Sequence, residues 1–210
     1  IRLLTDSILQ TNNMDMETVR DFVTDIGSEA ERLSRITEDL LRLTRLDSNQ
    51  VDPPEVVEVA PVVEQVMRMM SLLAQEKGTE LTYRMEENCR VSATKGEVHQ
   101  VIYNLTDNAV KYSGNAGSIR VRLFREGGCV VLTVADNGPG IPEEDLPRVF
   151  ERFYRVDKAR SRAAGGTGLG LSIVQDTVHK RGGTITATNA PGGGAVFTVR
   201  WPDAEGGREP

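Results

Sequence analysis

Three polar side chains recur at helical spacing in one stretch of the sequence, and together they could hold a metal-bound phosphate. Asn104, Asn108 and Lys111 lie four and three residues apart, so on an α-helix they fall within an arc of about 60°. An amide oxygen suits Mg²⁺, and a lysine ammonium suits a phosphate oxygen. The neighbouring arc is apolar, and polar groups beside a buried face are costly without a partner. A solvated helix face is the alternative interpretation.

A carboxylate followed by a glycine-rich turn comes directly after an apolar strand pattern. The run from Asp136 reads Asp-Asn-Gly-Pro-Gly-Ile, with glycines at Gly138 and Gly140 and an apolar residue at Ile141. Glycines let the backbone approach a ligand closely. The carboxylate could accept a hydrogen bond from the exocyclic amine of a purine. An ordinary turn is the competing interpretation.

Two further clusters of residues follow, and both are suited to bind phosphate groups. Residues 150–155 read Phe-Glu-Arg-Phe-Tyr-Arg, and residues 152–162 hold five basic residues against one acidic residue. This predicts a loop that closes over a triphosphate, or else a basic solubilising loop. Residues 165–171 read Gly-Gly-Thr-Gly-Leu-Gly-Leu and open a predicted helix, whose free amides would bind phosphate. Neither the dinucleotide fingerprint nor the Walker spacing is present, and a glycine-rich linker is the alternative.

Alternating helices and strands must position these clusters. Hydrophobic periodicity predicts helices over residues 61–75, 95–112 and 169–180, and strands over residues 55–58, 80–85, 118–125, 129–135, 184–188 and 195–201. This order is typical of a two-layer α/β domain.

The first fifty residues predict a helical hairpin that needs a partner. After a turn at residues 11–13, apolar residues from Val19 to Leu43 recur every three or four positions. They form an apolar seam on a predicted helix of residues 15–47, which would be about 45 Å long. Residues 1–10 are too few to cover it, so a second copy or a segment outside this sequence should bury the rest. Pro53 and Pro54 follow in a predicted linker.

Composition excludes several classes of protein. The 210 residues include 25 Lys and Arg against 31 Asp and Glu, which argues against a nucleic-acid or anionic-membrane binder. No run approaches the about 18 apolar residues of a membrane span. Cys89 and Cys129 form neither a disulfide framework nor a metal quartet, and they fit a reducing cytoplasm. The chain begins at Ile1 without a methionine or a signal segment, so we expect a fragment of a longer protein.

Taken in order, the four clusters resemble the motifs of the sensor histidine kinases of two-component systems. Residues 104–112 resemble their N box, 136–142 the first glycine box, 150–154 the F box and 166–170 the second glycine box. The resemblance implies an α+β fold, in which half of a dimeric four-helix bundle precedes a two-layer α/β sandwich of the Bergerat (GHKL) type.

The same resemblance implies a domain organisation. Residues 1–50 would be the dimerisation and phosphotransfer hairpin with a truncated first helix, and residues 51–60 a linker and first strand. Residues 61–202 would be the catalytic ATP-binding domain, and residues 203–210 a flexible tail.

Individual roles follow from the resemblance. Asn108 is the implied Mg²⁺ ligand, with Asn104 beside the metal–phosphate site, and Asp136 would hold the adenine amine. The glycines of the second glycine box would hinge a lid and face the phosphates. The further residues implied to lie at the ATP site are Lys111, Tyr112, Gly138, Gly140, Ile141, Tyr154, Arg155, Gly166, Thr167, Gly168, Leu169, Gly170 and Leu171.

The implied activity is that of a transferase. The γ-phosphoryl group of Mg²⁺-ATP would pass to a histidine and then to an aspartate of a response-regulator receiver domain. The chain holds only His99 and His179, both on predicted helices of the ATP-binding part, so we assign no catalytic residue and expect the acceptor upstream of Ile1. We expect a homodimer that works in the cytoplasm, within a parent anchored in a membrane, and no nucleic-acid partner.

Other functions are weighed against this one. A gyrase-type ATPase needs a carboxylate one turn before the metal-binding asparagine, where Asn104 stands, and an amide cannot act as a general base. An ATP-binding scaffold, or a phosphatase of the regulator without kinase turnover, stays open because the acceptor histidine is absent from the chain.

Overall fold

The computed structural model describes residues 1–10, 15–47, 53–114, 116–156 and 166–204. The predicted turn at 11–13, most of the basic loop and the end of the tail lie outside these ranges. The helices are α1 (Arg2–Gln10), α2 (Met16–Asp47), α3 (Val59–Glu76), α4 (Lys95–Tyr112) and α5 (Gly170–Lys180). The strands are β1 (Glu55–Glu58), β2 (Glu80–Met85), β3 (Arg90–Ala93), β4 (Ser118–Glu126), β5 (Cys129–Asp136), β6 (Thr184–Asn189) and β7 (Ala195–Pro202).

Helices α1 and α2 contact each other and leave apolar surface uncovered. Asp15 starts α2 by accepting hydrogen bonds from the backbone N and the hydroxyl of Thr18, at 2.8 and 2.7 Å. Along α2, Phe22 and Ile26 are half-buried, whereas Met16 is 81% exposed. The side chains of Leu40 and Leu43 lie outside the described part of the structure. The long helix predicted from the apolar seam is therefore present, and among the described residues nothing covers part of its apolar surface.

Within the described residues, five strands form the main sheet in the order β2-β4-β5-β7-β6. β2 runs parallel to β4, and the other neighbours are antiparallel. A second, two-stranded sheet pairs β1 with β3. The sequence pattern did not predict β3, because its four residues present only two buried side chains, Val91 and Ala93, which is too short an alternation to recognise.

The core lies between the sheet and helices α3, α4 and α5. Alternate residues of the three central strands point to the helices, and these are Ile119, Val121, Leu123, Val130, Leu132, Val134, Phe197, Val199 and Trp201. The helices contribute the buried side chains of Val63, Met67, Ile102, Leu105 and Val174. This arrangement agrees with the predicted two-layer α+β class. No helix among the described ranges is long and apolar enough to cross a membrane.

Candidate functional site

A capping box sets the start of α4 and thereby the register of its polar face. Thr94 accepts a hydrogen bond from the backbone N of Glu97 at 3.2 Å, and the Glu97 carboxylate accepts one from the backbone N of Thr94 at 2.9 Å. From this start, Asn104 is buried while Asn108 and Lys111 are half-buried. The predicted polar stripe therefore exists and borders the core.

Asn104 joins α4 to the start of α5. Its Oδ1 accepts a hydrogen bond from Gln100 Nε2 at 2.8 Å, and its Nδ2 donates to the Gly170 carbonyl at 3.1 Å. The N box and the second glycine box thus meet through this side chain. Since each end of the amide already has a protein partner, Asn104 acts here by holding the glycine-rich segment against α4.

Lys111 is paired with a carboxylate that the sequence pattern did not single out. Its Nζ donates to Asp107 Oδ2 one turn earlier on α4, and both side chains are about four-fifths buried. An acidic residue four positions before a lysine is a recognisable helix-stabilising spacing. Asp107 therefore orients the ammonium that is predicted to meet phosphate.

Asp136 is a buried carboxylate at the end of β5, with 8% of its surface exposed. Its Oδ1 accepts hydrogen bonds from the backbone N of Gly138 at 2.9 Å and of Ala195 at 3.2 Å. Oδ2 receives neither of these bonds. Burial raises the pKa of Asp136, although the two backbone hydrogen bonds oppose the change. One oxygen is thus held in place while the other is left for a polar ligand.

Glycines let two other segments pack closely against what we call the Asp136 turn, residues 136–141. A Cβ on Gly138 would lie 2.4 Å from the carbonyl oxygen of Tyr112, so this glycine brings the turn against the end of α4. A Cβ on Gly194 would lie 1.9 Å from the carbonyl oxygen of Asp136. The end of α4, the Asp136 turn and the β6–β7 turn (residues 190–194) therefore pack backbone against backbone.

Asn189 also contacts the Asp136 turn, although nothing in the local sequence pattern singles it out. It lies at the end of β6, and its side-chain amide hydrogen bonds to both backbone groups of Ile141. The two residues are 48 positions apart, so only the fold reveals the contact.

The F box and the second glycine box pair through their backbones. The N–H of Phe153 donates to the Gly168 carbonyl at 2.9 Å, and a Cβ on Gly168 would lie 3.0 Å from the Phe153 backbone. Phe153 has a φ of +66°, which is unusual for a residue with a side chain. The structure thus brings these two predicted motifs together.

Tyr154 contacts two residues of the segment that precedes it. Its hydroxyl donates to Asp145 Oδ1 at 2.5 Å, and the Arg148 guanidinium lies 4.1 Å from its ring centroid. The hydrogen bond to Asp145 raises the pKa of Tyr154. The ring therefore stabilises the segment between residues 145 and 154.

Arg155 and the start of α5 offer unused hydrogen-bond donors. The Nε and Nη2 atoms of Arg155 are buried without a partner among the described residues. The N-cap residue of α5, the fully buried Leu169, makes no side-chain capping hydrogen bond, and its own backbone N donates to Thr167 Oγ1 at 3.2 Å. Gly166, Thr167 and Leu171 are half-buried. Amides at a helix N-terminus and guanidinium nitrogens that lack a partner among the described residues are both suited to bind an anion.

A model of the family described as "Histidine kinase-, DNA gyrase B-, and HSP90-like ATPase" matches residues 93–205. The sensor-like histidine kinase SenX3 of Mycolicibacterium smegmatis is 36% identical over 190 residues, which cover 90% of this chain and 50% of SenX3. The chain thus spans about half the length of this relative.

Two solved structures are similar in fold and sequence. The nucleotide-free catalytic domain of histidine kinase ThkA has a TM-score of 0.63 at 27% identity, covering 71% of this chain and 96% of that domain. Full-length ShkA in complex with AMPPNP has a TM-score of 0.73 at 29% identity, covering 95% of this chain and 42% of ShkA.

Proposed function

The chain belongs to the histidine kinase-, DNA gyrase B- and HSP90-like ATPases, as the ATP-binding catalytic portion of a sensor histidine kinase, and we propose how its residues hold the nucleotide. The family and the Bergerat-type α+β fold predicted from the sequence are thereby confirmed. The proposed site lies between α4, the Asp136 turn and the N-terminus of α5.

The proposal that the site recognises adenine rests on the buried carboxylate of Asp136. Two backbone amides hold Oδ1, so Oδ2 is presented in a fixed direction to the exocyclic amine of adenine. An amine donor would give Oδ2 a hydrogen-bond partner, which neither of the two backbone amides provides. A keto group at the same position, as in guanine, would instead face a carboxylate oxygen.

Asn108 fits the role of a single protein ligand to a nucleotide-bound Mg²⁺. Mg²⁺ prefers oxygen, and in phosphoryl-transfer sites it takes few protein ligands and completes its shell with phosphates and water. Asn108 is half-buried one turn from Asn104. Among the described residues, His, Cys, Asp and Glu side chains form no group of three or more that could hold a metal. When bound, the ion would neutralise phosphate charge.

The phosphates would meet donors from three elements. Lys111 lies on α4, and the amides of Gly170 and its neighbours begin α5. The Nε and Nη2 atoms of Arg155, which have no partner in the described part of the chain, follow the F box. Each of these groups stabilises negative charge without a proton transfer, which is what positioning of a phosphoryl group requires.

We propose that the γ-phosphoryl group goes to a histidine of the parent protein and from there to an aspartate of a response-regulator receiver domain. His99 is half-buried and stacks on Tyr103, with ring centroids 6.3 Å apart, and His179 is exposed near the end of α5. Neither is proposed as the acceptor. The uncovered apolar residues of α1 and α2 support a homodimer in which two hairpins form a four-helix bundle. The cytoplasmic location and the membrane anchor of the parent stay predictions.

Calorimetric titration with ATP tests the nucleotide site directly. The wild-type chain should bind ATP more tightly with Mg²⁺ than without, and Asn108→Ala should lose the Mg²⁺-dependent part while keeping its fold by circular dichroism. Lys95→Ala, an exposed change in the first turn of the same helix, is the matched control. Unchanged affinity in Asn108→Ala contradicts the metal assignment, and a folded wild type that binds no ATP contradicts the proposal as a whole.

The full-length parent tests phosphoryl transfer. Labelled ATP should produce an alkali-stable, acid-labile phosphohistidine outside residues 1–210, which then passes to a purified receiver domain. A parent that binds Mg²⁺-ATP without acquiring label would act as a scaffold or a phosphatase, and label on His99 or His179 would contradict the proposed acceptor.

A further inference from the structure

We infer that Asn189 is a positioning residue that sets the preference of the site for adenine, an inference that rests on the proposed function of Asp136. Asn189 lies at the end of β6, an edge strand of the main sheet, and its side chain is exposed. Burial in the core therefore does not explain its contacts.

The side chain of Asn189 holds both backbone groups of one residue. Its Oδ1 accepts a hydrogen bond from the Ile141 N–H at 2.8 Å, and its Nδ2 donates to the Ile141 carbonyl at 2.6 Å. An amide side chain carries the donor and the acceptor that this arrangement needs, whereas a carboxylate carries acceptors alone. The neutral amide is thus matched to the backbone of Ile141.

Gly140 makes this approach possible. It has a φ of +75°, and a Cβ on it would lie 2.8 Å from Asn189 Oδ1. A side chain at position 140 would therefore displace Asn189 as well as strain the backbone. Gly140 is thus needed for a contact within the protein, between the Asp136 turn and Asn189.

The residues that follow Asn189 hold the other end of the same turn. The backbone N of Ala195 donates to Asp136 Oδ1 at 3.2 Å, and Gly194 packs its backbone against the Asp136 carbonyl. The β6–β7 turn is closed by its own hydrogen bond from Ala190 N to the Gly194 carbonyl, at 2.9 Å. One hairpin end therefore contacts Asp136 at the start of the turn and Ile141 at its end.

A turn held at both ends keeps the Asp136 carboxylate and the following backbone at a constant separation. Recognition of adenine through one amine requires that separation, while recognition of the phosphates depends on α4, α5 and Arg155. Loss of the Asn189 contacts should therefore weaken binding of the base and leave the phosphate contacts unchanged.

The test compares affinities of Asn189→Ala for ATP and for GTP, both with Mg²⁺. We expect ATP affinity to fall about tenfold, as the loss of two hydrogen bonds allows, with GTP affinity changed less than about twofold. Asn189→Asp, which lacks the donor, should show the same loss of preference. Thr186→Ala, exposed on the same strand, is the control and should match wild type.

Specific outcomes contradict the inference or its premise. An unchanged ATP-to-GTP affinity ratio in folded Asn189→Ala overturns the role of Asn189 in base preference, whether both affinities stay at the wild-type value or both fall equally. Should the variants fail to fold, hydrogen exchange of the wild type decides, because the Ile141 amide must exchange slowly if Asn189 holds it. A wild type without any preference for ATP overturns the function of Asp136 instead.

Discussion

Arg181 and Glu97 form a two-pronged ion pair that ties the end of α5 to the first turn of α4. The Nε–Oε2 and Nη2–Oε1 distances are 2.8 and 2.9 Å, and the side chains are 8% and 16% exposed. Glu97 also completes the capping box with Thr94. Since α4 carries the two asparagines and α5 follows the second glycine box, this pair fixes the two site helices relative to each other.

Arg181→Ala should lower the free energy of unfolding by about 2 kcal/mol at neutral pH, because it leaves the Glu97 carboxylate without its main partner. Burial alone would raise the pKa of Glu97, but hydrogen bonds from Arg181 and Thr94 outweigh it and the pKa is lowered from its ordinary 4.5. The stabilisation is therefore complete above that ordinary value and is lost as the pH falls below it.

Urea unfolding of wild type and Arg181→Ala over a pH series measures this effect, and the difference between them should shrink in acid. A difference that is the same at neutral and strongly acidic pH would contradict it. Arg68→Ala removes an exposed pair with Glu64 at 3.7 Å and should cost no more than about 0.5 kcal/mol.

Gly194→Ala should destabilise the chain much more than Gly192→Ala. Both glycines have a left-handed backbone conformation, with φ of +92° and +98°, so the backbone strain that alanine introduces should be similar at the two positions. A Cβ at position 194 would meet the Asp136 carbonyl, whereas position 192 has open space. We expect a further loss of about 1–3 kcal/mol from the overlap. Thermal unfolding of the two variants measures this difference in stability. Equal unfolding midpoints would contradict the prediction, because the turn would then accommodate the Cβ at position 194 without loss of stability.

ATP affinity should fall as the solution is acidified, because the ionised carboxylate of Asp136 accepts the hydrogen bond of the adenine amine more strongly than the protonated group does. Burial raises the pKa of Asp136 above its ordinary 3.8, so protonation begins at a higher pH than for an exposed aspartate. In Asp136→Asn this part of the pH dependence should vanish, together with the preference for ATP over GTP. Because the phosphates of ATP titrate equally in both proteins, parallel pH profiles would refute the prediction.

Arg155→Met should weaken ATP binding by about tenfold without lowering stability. The buried Nε and Nη2 atoms lack a partner among the described residues, so their removal should leave the free energy of unfolding unchanged or raise it by about 1 kcal/mol. Calorimetry measures the affinity for ATP, and urea unfolding measures the free energy of unfolding. Arg84→Met, at an exposed position of β2, should change neither. A large loss of stability in Arg155→Met would mean that the guanidinium has a structural partner.

The local sequence pattern was sufficient to predict most helices and strands of this fold. The helix predicted over residues 95–112 has those bounds, since Thr94 and Glu97 form a capping box that is recognisable in the sequence. The helix predicted from residue 61 begins instead at Val59, because Pro61 is tolerated within a first turn whose N–H groups lack helical partners. β3 was missed because a four-residue strand has too short an alternation to recognise.

By residue type and order alone, the sequence determined the family, the α+β class and the set of motifs that we propose to hold ATP. Those features are local, since each motif lies within a few residues of one turn or one helix face. Only the tertiary structure decided that Asn189 holds Ile141, that Arg181 pairs with Glu97 across 84 positions, and that Gly194 lies against Asp136. These contacts join segments distant in the chain, and their geometry depends on how the sheet and the helices pack, which no local spacing of residues encodes.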